Sequence, residues 1–151
     1  MSSSTSTSLT LRALLKTAAG RLGLGAPGKD VSGLTPAAKA LFAAVAAARD
    51  HVVVVVPTDA DVEQLTSDAR FFFSALEGIS DADAAQLVAS FPSHEIDPYR
   101  GLSPHFDIAS ARARTLHALS TGTARLVIAS ATALLPRLTP PSRLKRSIGE
   151  V

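Results

Sequence analysis

Three stretches of this chain carry residue types that chemistry would need. The first is GLTPAAKA, residues 33–40. A phosphate-binding loop of the G-x-x-x-x-G-K-[ST] type wraps phosphates with backbone amides, neutralises them with its lysine and holds Mg²⁺ with its hydroxyl. Gly33 and Lys39 stand at the right separation, but Ala38 replaces the second glycine and Ala40 the hydroxyl. Pro36 also removes an amide donor. The pattern predicts a degenerate loop, in effect a helix N-terminus with an exposed lysine and no place for Mg·ATP.

The second stretch is FPSHEIDPYRGLSPHFD, residues 91–107, which holds two histidines, three carboxylates, three prolines and the only tyrosine. His94-Glu95 begins like a zinc-protease H-E-x-x-H, but position 98 is Pro98, and His105 lies beyond the reach of an i,i+4 helical pair. No metal site is expected there. The third is the alternation Asp59, Asp61, Glu63, which resembles a calcium loop without its glycine and is better explained by helix capping. Ser120, Thr121, Ser130 and Thr132 have no nucleophile-elbow setting. His51 and His117 are expected at a strand edge and on a helix surface. With no cysteine, disulfides, zinc-thiolate sites and thiol catalysis are excluded together.

The elements that would position these groups follow from periodicity. TPAAKALFAAVAAAR reads as a buried helix with Thr35 as N-cap and Pro36 at its first position. HVVVVV, closed by Pro57, reads as a central strand buried on both faces. ADVEQLTSDARFFFSALEG is a helix capped by Asp59 or Asp61 and ended by Gly78. DAAQLVASFP is a weaker strand candidate, because its alanines also suit a helix. SPHFDIASARARTLHALSTG is a helix with Ser103 as cap and Pro104 first, stopped at Thr121-Gly122. ARLVIAS is a third strand, and ATALLPRL a short helical turn cut by Pro136. This alternation predicts an α/β layer with a mostly parallel sheet.

The chain has 151 residues, 46% hydrophobic and 19% charged, enough for one domain with a core of Ala, Val and Leu. We divide it into a flexible leader with a short amphipathic helix (1–30), an α/β domain (31–140) and the start of a connection to a missing second domain (141–151). Leu11, Leu14, Leu15, Ala18 and Leu22 form the apolar face of the leader helix. Arg12, Lys16 and Arg21 interrupt any secretory h-region, and no run approaches a membrane span. The net charge of +2 hides an asymmetry. Residues 108–149 contain no carboxylate but hold Arg112, Arg114, Arg125, Arg137, Arg143, Lys145 and Arg146. Such a run makes a solvated face, a domain contact or a phosphate-binding patch. The tail TPPSRLKRSIGEV is polar and proline-broken, and reads as the end of a fragment without a closing element.

The spaced set Pro92, Glu95, Pro98, Tyr99, Ser103, Pro104, followed by Asp107-Ile108, Arg112 and Leu116, closely resembles the N-terminal module of the bacterial transcription-repair coupling factor. That module is similar to domain 1a of the excinuclease B subunit. The likeness runs from about Gly33 to the chain end. This sequence departs from the family pattern at His94, usually a tryptophan, at Asp97, usually apolar, and at Arg100, usually acidic.

The resemblance implies a partial P-loop-NTPase-like (RecA-like) layer whose nucleotide loop has decayed, as in GLTPAAKA. It implies a parent protein that translocates on double-stranded DNA with ATP and Mg²⁺ bound in later motor domains. That parent displaces stalled RNA polymerase and recruits the excision-repair A subunit, mainly through the adjoining second domain. The fragment would be a cytoplasmic, monomeric, non-catalytic scaffold with no cofactor of its own, making intramolecular contacts with the missing domains. Arg112, Arg114 and Arg125 would contact nucleic acid or neighbouring domains. Two alternatives stand beside it: an ATP-binding excinuclease-B-like helicase domain, and a DNA-binding module using the basic C-terminal third.

Overall fold

Strands β1 (Val52–Val56), β2 (Val88–Phe91) and β3 (Leu126–Ser130) form a parallel sheet in the order β1-β3-β2. The register sets Val52 and Val88 on either side of Leu126, and Val56 beside Ser130. The computed structural model describes residues 10–24, 28, 30–94, 105–138 and 140–147. Among the described residues six α-helices and a 3-10 turn (Thr132–Leu134) complete it: α1 (Leu11–Leu22), α2 (Pro36–Ala47), α3 (Asp59–Glu77), α4 (Asp81–Leu87), α5 (Phe106–Thr121) and α6 (Pro141–Ser147). The α/β class with a parallel sheet is as the alternation of elements predicts.

The strand expected at the centre of the sheet lies at its edge. Every residue of β3 is buried, whereas β1 alternates, with Val53 and Val55 more than half exposed. Five valines satisfy a buried strand and a half-buried one equally, so composition alone does not place them. What decides is coverage. Val52, Val54 and Val56 face the layer of α2 and α3, while α5 covers the opposite face only over β2 and β3.

Alanines let α2 lie close against α3. Ala40, Ala44 and Ala47 of α2, with Ala69 of α3, are wholly buried beside Val62, Leu65 and Phe73. Helix α2 starts as its sequence predicts: the Thr35 hydroxyl accepts from Ala38 N–H, and Pro36 follows. Helix α3 ends at Gly78, whose φ of 70° is costly for any other residue. Its N-cap is Thr58 rather than Asp59 or Asp61. Thr58 Oγ1 accepts from Asp61 N–H, and the Asp61 carboxylate accepts from Thr58 N–H, closing a capping box.

Two further expectations are corrected, and one helix is added that the sequence did not predict. DAAQL, placed in the second strand, forms α4, capped by Ser80, and the strand is confined to VASF. Helix α5 starts at Phe106 with His105 as N-cap, while Ser103 and Pro104 lie outside the described residues. Within the tail Pro141 opens α6, which packs on α5. Helix α1 docks on α3 through Leu15 and Ala19, and Arg12 Nε donates to Leu76 O at 2.9 Å. Leu11 and Leu14, counted on its apolar face, are about half exposed. Among the described residues no helix is long and apolar enough to cross a membrane.

Candidate functional site

Parallel strands bring their C-terminal ends to one edge, the place where α/β folds collect polar groups. Asp59 follows β1, Ser93 and His94 follow β2, and Ser130 ends β3. Asp59 Oδ1 accepts from Ser93 N–H at 2.8 Å, and Asp59 Oδ2 from the Ser93 hydroxyl at 2.5 Å. Ser130 Oγ accepts from Ala133 N–H and lies 3.2 Å from the Thr132 hydroxyl.

Arg112 reaches this edge from α5 and is only 4% exposed. Its Nη1 donates to Pro92 O at 2.5 Å, and both terminal nitrogens lie 3.4 Å from Ala133 O. Its guanidinium sits 4.0 Å from the centre of the Phe91 ring, a cation–π arrangement. Burial pushes the Arg112 pKa down and the nearby Asp59 charge pushes it up; the net is below its ordinary value. Arginine nonetheless stays charged at any physiological pH. For Asp59, burial pushes the carboxyl upward, but the Ser130 and Ser93 hydroxyls, the Ser93 amide and the charge of Arg112 outweigh it. Its pKa therefore lies below the ordinary aspartate value.

An aspartate, a serine and a histidine meet here, yet the arrangement is not a hydrolytic triad. A triad places the histidine between nucleophile and carboxylate. Here the Ser93 hydroxyl is spent directly on Asp59, and His94 Nδ1 has no partner among the described residues. Burial, aided by the Arg112 charge, lowers the His94 pKa and favours its neutral form. The cluster is a polar clamp. It holds the first residues after β1, β2 and β3 in fixed relation, with Arg112 as its rivet.

The residues singled out in the sequence are dispersed. Gly33, at φ 73°, and Lys39 are exposed near the start of α2. No strand precedes them among the described residues, and Thr35 already occupies the Ala38 amide that a phosphate would need. Of the spaced motif, Pro92 and Arg112 meet through the Pro92 carbonyl, while Glu95, Pro98, Tyr99, Ser103 and Pro104 lie outside the described residues. The three arginines proposed as contacts have different settings. Arg112 is turned inward, and Arg125 Nε and Nη2 donate to Ala47 O at 3.2 and 3.1 Å. Arg114 is exposed. Among the described residues no group of three metal-ligating side chains comes together.

Sequence reasoning missed Ser93 and the reach of Asp59. Asp59 at the first position of α3 is a good helix-dipole residue wherever it points, so its cross-chain role left no local signal. Compared with family models, with curated proteins and with solved structures, the chain matches none.

Proposed function

We propose that this chain is the N-terminal scaffold piece of a cytoplasmic transcription-repair coupling factor, a RecA-like layer whose nucleotide loop has decayed. Its parent would use ATP and Mg²⁺ in later domains to move on double-stranded DNA and displace stalled RNA polymerase. It would then hand the lesion to the excision-repair A subunit through the adjoining second domain. The piece itself performs no chemistry. It acts as a rigid base for that neighbouring contact.

The observation that carries this reading is the bond between Arg112 and the Pro92 carbonyl. These two members of the spaced motif lie twenty residues apart, so in this pair the spacing corresponds to a built contact. A motif whose residues brace a connector fits a scaffold better than an active site. At Gly33–Lys39 the Thr35 cap occupies an amide that a nucleotide loop would keep free, which fits a decayed loop.

A titration of the chain with Mg·ATP, repeated on Lys39→Ala, tests the reading against its enzymatic rival. The scaffold reading expects no binding that depends on Lys39. Micromolar affinity lost in Lys39→Ala would instead make the chain an ATP-binding helicase domain. Steep salt-dependent binding to duplex DNA, weakened by Arg114→Ala, would favour the DNA-binding alternative.

A further inference from the structure

Among the described residues strand β2 is an edge strand, yet its outward carbonyls are occupied. Arg70 Nε on α3 donates to Val88 O at 3.1 Å, and Thr115 Oγ1 on α5 donates to Ser90 O at 2.6 Å. With those carbonyls taken, the edge is a poor template for another strand. A two-chambered cleft follows it instead.

The chamber toward α5 is a cavity of about 380 Å³, opened by small side chains such as Ala85, Ala89 and Ala111. Arg70, Arg114 and His117 line it, and no carboxylate does so among the described residues. Arg114 and His117 stand three apart on α5 and so share one face. Arg70 also lines the second chamber, a cavity of about 590 Å³, together with Glu63, Asp81 and the exposed ring of Phe71.

Two groups in this cleft lack a partner that the fold would be expected to give them. Arg70 is partly buried and desolvation lowers its pKa, yet among the described residues no carboxylate lies within ion-pair distance of it. Its Nε is spent on Val88 O, and its terminal nitrogens have no partner among the described residues. Thr66, 5% exposed, lines the larger chamber, and its hydroxyl is also unpartnered among the described residues. The buried Thr66 hydroxyl is a costly donor without an acceptor that an occupant of the cleft would relieve, while the terminal nitrogens of Arg70 stay open to solvent and able to meet an anion.

We infer that this cleft along the outer edge of β2 binds a nucleotide unit, with its phosphate in the chamber of Arg70, Arg114 and His117. A planar base has Phe71 to stack on, and sugar hydroxyls have the carboxylates of Glu63 and Asp81 as acceptors. The unit is either a free nucleotide or one residue of a single strand, since both present the same phosphate, sugar and base. The inference does not rest on the scaffold reading, and the site is separate from the Gly33–Lys39 stretch.

The test titrates the full chain with adenosine 5′-monophosphate, inorganic phosphate and a short single-stranded oligonucleotide, following backbone amide shifts by NMR. Saturable binding of the nucleotide is expected, weakened about tenfold in Arg114→Ala and several-fold in Phe71→Leu. Lys39→Ala and Arg49→Ala, at exposed cations elsewhere, should leave it unchanged. Both cleft positions are exposed, and thermal unfolding verifies that their variants remain folded. An oligonucleotide that binds more tightly than the monophosphate identifies the strand as source; equal or weaker binding identifies the free nucleotide. The inference is overturned if neither nucleotide probe saturates, if Arg114→Ala or Phe71→Leu binds like the parent chain, or if Arg49→Ala or Lys39→Ala is equally impaired.

Discussion

Asp59, at the start of α3, accepts two hydrogen bonds from Ser93, thirty-four residues further along the chain. The two residues follow β1 and β2, which are not neighbours in the sheet. The link therefore spans the end of β3, where Ser130 sits, and closes the C-terminal edge of the sheet. Arg112 supports the same edge from α5 through Pro92 and Ala133.

Asp59→Asn should destabilise the chain by about 1–2 kcal/mol at pH 7, the scale of hydrogen bonds to a partly exposed carboxylate. The sign of its pH dependence follows from the lowered pKa. A carboxylate held below its unfolded value of about 3.9 contributes fully above that pH and loses the contribution as pH falls through the folded value. Urea unfolding of both chains should show the gap shrinking from about pH 4 downward. A gap that stays constant to pH 2.5 contradicts the assignment.

Arg112→Ala should cost about 3 kcal/mol, since it removes a desolvated cation that bonds two carbonyls and covers Phe91. Arg112→Lys keeps the charge but loses the planar fork and the stacking, so it should recover less than half of that loss. Denaturant midpoints of the three chains decide the point. A lysine variant as stable as the parent would show that charge alone matters.

Val53→Thr should change stability by less than about 0.5 kcal/mol, because Val53 lies on the open face of an edge strand. Ile128→Ala in the central strand should cost about 3–4 kcal/mol. If the valine substitution were as damaging as the isoleucine one, the strand order would be wrong.

The close approach of α2 and α3 is tested by Ala44→Leu. Ala44 has no exposed surface, so the larger side chain must force the helices apart at about 2–3 kcal/mol. Thermal unfolding measures this, and an unchanged midpoint would mean that the alanine seam is looser than described.

Local rules served the sequence well where the chain makes local decisions. Thr35 with Pro36, Gly78, Gly122 and the run LVIAS each acted as their residue types dictate. The rules failed where coverage or distant contact decides. HVVVVV carries no mark of which neighbour will cover it, and DAAQL folds into a helix because the Ser80 hydroxyl caps it, accepting from Asp83 N–H and donating to the Asp83 carboxylate. The site was legible in one respect only. Arg112 was singled out by motif spacing, but its inward role and the Asp59–Ser93 link depend on which strand ends the sheet brings together.

The central claim, a scaffold in transcription-coupled repair, is tested most directly by measuring repair of ultraviolet lesions strand by strand in the source cells. Deleting the coding region of this chain should abolish the faster repair of the transcribed strand and leave repair of the other strand unchanged. If the transcribed strand is still repaired faster after the deletion, the claim is contradicted.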